Sequence, residues 1–204
     1  MRKIILPGLG ADSSMYDGAI YTTITGVIYA NWPQYKGEKL VEEVADRIIK
    51  EYKITSADIV GGSSLGGIIA IEIAKKVKNS KVLLIGSTTL PSGINPKLKS
   101  FRDFTKITPL DLFKSLAMMF NPDNKVLEML DRSNADFVKE MCRALFLWKG
   151  LENYNGTIYK IHGEKDRLFY PDKDAKIIPN GGHLIAMTHG NDVSEFIKGN
   201  IGNL

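Results

Sequence analysis

The stretch Ala57-Asp58-Ile59-Val60-Gly61-Gly62-Ser63-Ser64-Leu65-Gly66-Gly67-Ile68-Ile69-Ala70-Ile71 decides how this chain is read. Its first five residues, Ala57 to Gly61, form a short β-branched run closed by glycine, the pattern of a buried strand. From Gly66 to Lys78 the residues Ile68, Ile69, Ala70, Ile71, Ile73 and Ala74 are apolar nearly all round the first turns, as in a helix buried between a sheet and its neighbours. Between the two lies Gly62-Ser63-Ser64-Leu65-Gly66, a G-x-S-x-G sequence with almost no loop on either side. A serine held on a sharp strand-to-helix turn needs very small residues at minus two and plus two, because larger side chains would collide across the turn. Only Ser64 has glycine at both positions, which makes it the candidate nucleophile ahead of Ser63.

The same alternation of short β-branched runs and longer amphipathic stretches extends both ways along the chain and predicts βα units on a parallel sheet. Six strands are expected, near Lys3 to Leu6, Ile24 to Ala30, Ala57 to Gly61, Lys81 to Gly86, Thr157 to His162 and Asp174 to Ile178. Leu40, Val41, Val44, Ala45, Ile48, Ile49 and Tyr52 recur at helical spacing, with Glu38, Glu42, Glu43 and Asp46 toward the start, where a helix dipole favours acids. The expected fold is therefore α/β, a three-layer, doubly wound, mostly parallel six-stranded sheet. From about 91 to 153 the regularity stops. Six of the eight Phe (Phe101, Phe104, Phe113, Phe120, Phe137, Phe146) and four of the seven Met (Met118, Met119, Met129, Met141) fall there. With Pro96, Pro109 and Pro122 dividing the segment into short pieces, it reads as a helical cap inserted between the fourth and fifth strands of one domain spanning 1–204.

The chain of 204 residues is long enough for one domain with a sizeable core but too short for a second. Lys and Arg outnumber Asp and Glu by 27 to 23, and the signs are interspersed, so no basic stripe argues for nucleic acid. A single cysteine, Cys142, excludes an internal disulfide, and with only His162, His183 and His189 a Cys/His zinc site lacks ligands. Cys142 sits in a helical stretch of the cap and reads as a buried packing residue. No apolar run approaches the roughly 20 residues of a membrane span. A soluble cytoplasmic protein is expected, with neither a metal nor a cofactor.

Three further motifs stand where the sheet would bring them to Ser64. Leu6-Pro7-Gly8-Leu9-Gly10-Ala11-Asp12 follows the first strand, whose carboxyl end neighbours that of the third in a doubly wound sheet. Neither G-x-G-x-x-G nor a Gly-Lys-Ser/Thr sequence is present, which disfavours a phosphate cradle. A carbonyl attacked by Ser64 would instead place its developing oxyanion on backbone N–H groups, with Leu9 and Leu65 the candidates. A serine hydroxyl also needs a general base, and the base needs an acceptor that fixes its tautomer. His183, after Asn180-Gly181-Gly182 at the end of the sixth strand and the start of the last helix, can be the base. Asp166, in His162-Gly163-Glu164-Lys165-Asp166 at the end of the fifth strand, can be the acid, with Asp172 and Asp174 its competitors. His162 reads as a structural residue beneath the acid loop and His189 as exposed.

In the order Ser, Asp, His, and over nearly its whole length, the chain resembles the α/β-hydrolase-fold serine hydrolases. The resemblance implies Ser64 as nucleophile, Asp166 as acid, His183 as base, and an oxyanion hole from Leu9 and Leu65. It departs from the family in two places. Pro7-Gly8 stands where the family often has His-Gly, and the family's usual first two strands are missing. The implied activity is that of an esterase on a small apolar acyl substrate; the same groups would serve a thioesterase, amidase, lactonase, C–C hydrolase or acyltransferase. A non-catalytic ligand-binding member of the fold is the contrasting expectation. The oligomeric state is not legible.

Overall fold

The structure, a computed structural model, describes residues 1–78, 81–98, 124–152 and 154–201. In chain order these form β1 (Lys3–Leu6), a 3-10 turn (Ser13–Tyr16), α1 (Ala19–Thr22), β2 (Val27–Tyr29), α2 (Val41–Tyr52), β3 (Ile59–Ser63), α3 (Leu65–Val77) and β4 (Lys81–Ile85). Two 3-10 turns (Pro91–Gly93 and Pro96–Leu98) follow, then α4 (Asn124–Arg132), α5 (Ala135–Leu145), β5 (Thr157–Gly163), β6 (Lys176–Ile178), α6 (Ile185–Thr188) and α7 (Gly190–Ile201). The six strands lie in the order β2-β1-β3-β4-β5-β6. Every pairing between them is parallel.

All six expected strands are present, but their ends differ for reasons that lie in the side chains. The strand expected from Ala57 begins at Ile59, because Asp58 is a loop anchor: its carboxylate accepts hydrogen bonds from the Arg2 guanidinium and the Thr55 amide. It runs on to Ser63, which pairs with Ile85. The second strand shortens to Val27–Tyr29, since Ile24 turns into the core and Gly26 takes a left-handed φ of 71°. The sixth starts at Lys176 rather than Asp174, whose carboxylate is held by Lys160.

A parallel sheet must be covered on both faces, and side-chain alternation along each strand separates the two. Ile4, Leu6, Val60, Val82 and Leu84 pack against α2 and α3; Ile5, Ile59, Leu83, Ile85, Ile161 and Ile178 pack against α7 and the Tyr16–Ile24 region. In α2 only Val41, Val44, Ala45 and Ile48 are buried, one stripe of a surface helix, and the Glu43 carboxylate reaches back to accept the Leu40 N–H at 3.1 Å. In α3 all ten residues from Leu65 to Ala74 are buried, and each fully buried Ile there contributes about 2 kcal/mol. One of the ten is Glu72. Its burial is offset by the Trp148 indole N–H at 2.8 Å and the Lys75 ammonium at 2.9 Å on the same oxygen.

The region expected as a cap is described in part. Phe101, Phe104, Phe113, Phe120, Met118, Met119, Pro109 and Pro122 lie outside the described residues. Of the described ones, Met129, Phe137 and Met141 are buried, and Cys142 keeps part of its surface exposed although its thiol is desolvated. Helices α4 and α5 bear on the loops that leave the carboxyl ends of β1 and β2. Arg132 of α4 donates to Asp12 and Ser14, and Phe137 of α5 meets the rings of Trp32 and Tyr35. Among the described residues no helix is long and apolar enough to cross a membrane.

Candidate active site

The strand order reverses between β1 and β3, and loops leaving the carboxyl ends of two such strands diverge and leave a crevice. Leu6 is in register with Gly62, so the Pro7-Gly8 loop and the turn at Ser64 emerge side by side. Ser64 closes that turn with φ 52° and ψ −119°, a left-handed φ that costs a non-glycine residue about 1–3 kcal/mol. The turn is held by the Ser64 N–H on the Ile85 carbonyl at 3.0 Å, and by the Ser64 carbonyl, which accepts the Gly67 N–H at 3.0 Å and the Ser87 hydroxyl at 2.8 Å.

The two flanking glycines are required by different neighbours. A Cβ on Gly62 would lie 2.4 Å from the backbone carbon of Gly66, the collision across the turn that the spacing predicts. A Cβ on Gly66 would instead lie 2.4 Å from the Pro7 carbonyl oxygen. The second glycine therefore serves the approach of β1, not the turn itself. Ser63, the alternative serine, is buried in the last position of β3.

Ser64, His183 and Asp166 form one hydrogen-bonded chain. Ser64 Oγ is 2.9 Å from His183 Nε2, and His183 Nδ1 is 2.8 Å from Asp166 Oδ2. Because the carboxylate can only accept, Nδ1 carries the hydrogen and Nε2 turns its lone pair toward the serine. The Phe169 ring stacks on the imidazole at 5.2 Å between centroids and 9° between planes. His183 precedes the one-turn helix α6 and not the last helix, α7, as the sequence suggested.

Asp166 has no exposed side-chain surface. Burial alone would raise its pKa, but His183 and hydrogen bonds from His162, His183 and the Phe169 N–H outweigh it and hold the carboxyl far below the usual range. Its other oxygen accepts the Leu168 and Phe169 amides at 2.8 and 3.1 Å. The competing acids point elsewhere: Asp172 accepts the Thr88 and Thr89 hydroxyls and pairs with Lys160, which also binds Asp174. His189, expected to be exposed, is half-buried at the end of α6, 2.8 Å from the Thr188 hydroxyl.

Leu65 N–H is the first amide of α3, where the helix dipole favours negative charge. Among the described residues neither it nor Leu9 N–H has an acceptor. The Leu9 loop is braced by the Trp32 indole N–H on the Gly8 carbonyl at 3.1 Å and the Tyr16 hydroxyl on the Leu6 carbonyl at 3.0 Å. Beside it opens a cavity of about 550 Å³, walled by Gly10, Asp12, Trp32, Tyr35, Arg132 and Phe137. Sequence reasoning missed Phe169, Ser87 and Trp32; the positions of Ser87 and Trp32 just beyond the carboxyl ends of β4 and β2 were the signal available. Among the described residues no cluster of His, Cys, Asp and Glu could hold a metal ion.

No protein-family model matches the chain, and no curated protein matches it in sequence. Solved structures match it in fold. A hydrolase from Oleispira antarctica superposes with a TM-score of 0.80 at 15% identity, over 100% of this chain and 92% of that one. A thermophilic esterase from Thermogutta terrifontis gives 0.78 at 16% identity, over 98% and 88%. The N-acyl homoserine lactonase AidH gives 0.70 at 13% identity, over 100% and 90%. The chain has the α/β-hydrolase fold.

Proposed function

We propose that the protein is a serine hydrolase that cleaves a carboxylic ester, or a related acyl bond, of a small apolar substrate. The observation that carries this reading is the hydrogen-bonded chain from Ser64 through His183 to Asp166 at the switch point of the sheet. His183 Nε2 takes the Ser64 proton as Oγ attacks the carbonyl carbon, and the oxyanion forms against Leu9 and Leu65 N–H. Collapse of the tetrahedral species expels the alcohol, which receives its proton from His183. Water, deprotonated by the same imidazole, then releases the acid from Ser64. Asp166 holds the ring in the tautomer that makes each transfer possible. No metal or cofactor enters these steps.

In this reading the segment 91–153 is a cap, and its Phe- and Met-rich composition suits an apolar acyl or aryl group. The cavity beside the Leu9 loop offers such a group the rings of Trp32, Tyr35 and Phe137, among polar residues that include Asp12, Asn31 and Arg132. Similar structures named as an esterase and as a lactonase put ester and lactone bonds first among those to be tested.

A fluorophosphonate probe followed by peptide mapping tests the mechanism. Labelling at Ser64, abolished in Ser64→Ala, is expected; a folded protein never labelled at Ser64 overturns it. A panel of esters, lactones, thioesters and amides then ranks the acyl bonds.

A further inference from the structure

His162 is the second histidine of this site and the mechanism above does not use it. It lies on β5, four residues before Asp166, with 1% of its side chain exposed. Its Nε2 is 3.1 Å from Asp166 Oδ2 and 3.1 Å from the Phe169 carbonyl oxygen. Both neighbours are acceptors without a hydrogen of their own, so Nε2 must be the protonated nitrogen and its hydrogen is shared between them. The Asp166 oxygen it reaches is the one that also accepts His183 Nδ1. The two imidazoles therefore compete for a single carboxylate oxygen.

We infer that His162 is a positioning residue that acts on His183 through Asp166: it fixes the carboxylate rotamer and draws part of the charge on Oδ2 away from the general base. This inference rests on the Ser64–His183–Asp166 reading. Asp166 Oδ1 is already committed to the Leu168 and Phe169 amides, so rotation of the carboxylate would break contacts at both oxygens. Phe169 closes the arrangement. Its N–H is on Oδ1, its carbonyl is on His162, and its ring lies flat on His183. Of the charged groups on this part of the sheet, Lys160 on β5 is bound to Asp172 and Asp174, which leaves the two imidazoles as the ionisable partners of Asp166 among the described residues.

A hydrogen bond to the carboxylate that does not come from His183 lowers the affinity of the carboxylate for the imidazolium. Removing it in His162→Leu should raise the proton affinity of His183 about three- to tenfold, while His162→Gln, whose amide N–H can reach the same oxygen, should stay near wild type. The test is the titration midpoint of the His183 ring followed by NMR in wild type and both variants, with circular dichroism as the check on folding. A midpoint moved upward in His162→Leu and restored in His162→Gln supports the inference. Equal midpoints in all three folded proteins overturn it, as does an equal shift in both variants. If His162→Leu does not fold, His162→Phe takes its place in the comparison. The turnover readout is a kcat lowered about tenfold in His162→Leu, with KM within a factor of two and recovery in His162→Gln. The NMR arm needs no turnover, so a protein that is never labelled at Ser64 would sink the hydrolase reading and leave the effect of His162 on His183 measurable in its own right.

Discussion

Replacing Asp166 by Asn changes one atom and sets four donors against an amide. In the native protein the carboxylate accepts the Leu168 and Phe169 N–H groups on one oxygen and the His183 and His162 rings on the other. An amide has one oxygen and one NH₂. With its NH₂ toward the backbone, two N–H donors that cannot change would face two more, so the amide must turn its NH₂ to the histidines. His183 Nδ1 then becomes the acceptor, the ring hydrogen moves to Nε2, and no lone pair faces Ser64. Loss of the general-base tautomer is worth about 10³–10⁴ in kcat, which is about 4–5.5 kcal/mol of transition-state stabilisation. His162 also loses its ionised acceptor, which costs about 1–3 kcal/mol of stability. The assay is kcat and KM for the best ester of the panel, beside a urea titration. KM should move little. A folded Asp166→Asn retaining a tenth or more of wild-type kcat refutes the argument, and so does a collapse of activity in Asp172→Asn, whose native carboxylate serves Thr88, Thr89 and Lys160.

Three other outcomes follow from the geometry. Gly66→Ala puts a methyl group against the Pro7 and Leu6 carbonyl oxygens and should cost about 1–3 kcal/mol in denaturant unfolding, with Ser64 labelling slowed at least about tenfold; unchanged stability would show that the β1 loop yields. Hydrogen bonds from the Arg2 guanidinium, opposed by burial, hold the Asp58 pKa at about 2, so Asp58 contributes stability that is full above the ordinary carboxylate range and lost as pH falls toward 2. Asp58→Asn should thus be less stable than wild type at pH 7 and converge with it near pH 2; a gap that is constant with pH contradicts this. Burial pushes the Cys142 thiol up to about 12, so a disulfide reagent at pH 8 should modify it far more slowly in the folded than in the urea-unfolded protein. Equal rates in the two states would refute that burial.

The sequence carried the strands, the buried character of α3 and the residues of the serine–histidine–acid chain, because each depends on local periodicity or on a motif at a strand end. Contacts between elements distant in sequence were not legible. Glu72 sits within an apolar helix, and only the structure reveals the Trp148 indole 76 residues away that accommodates it. The role of Phe169 depends on β5 and β6 lying side by side, and the shortened β6 depends on Lys160 drawing Asp174 out of the strand. His162 reads as structural on its own; the distance that gives it a second meaning is to an atom also bound by a residue 17 positions beyond Asp166. The helix expected from Gly66 to Lys78 runs Leu65–Val77 instead, because the left-handed backbone of Lys78 ends it one residue early.

β6 is a three-residue strand at the edge of the sheet, paired among the described residues with β5 alone, and two of its residues are exposed. The histidine that faces Ser64 hangs from the loop that follows it. An edge this short opens at a small fraction of the free energy needed to unfold the sheet. Opening there would draw His183 away from Ser64 without disturbing the pairing of β1, β3 and β4. With His183 as the proposed base, on heating, activity should therefore fade at a lower temperature than the spectroscopic signal of the helices. Substitutions that lengthen or anchor β6 would extend working life without touching a reacting group.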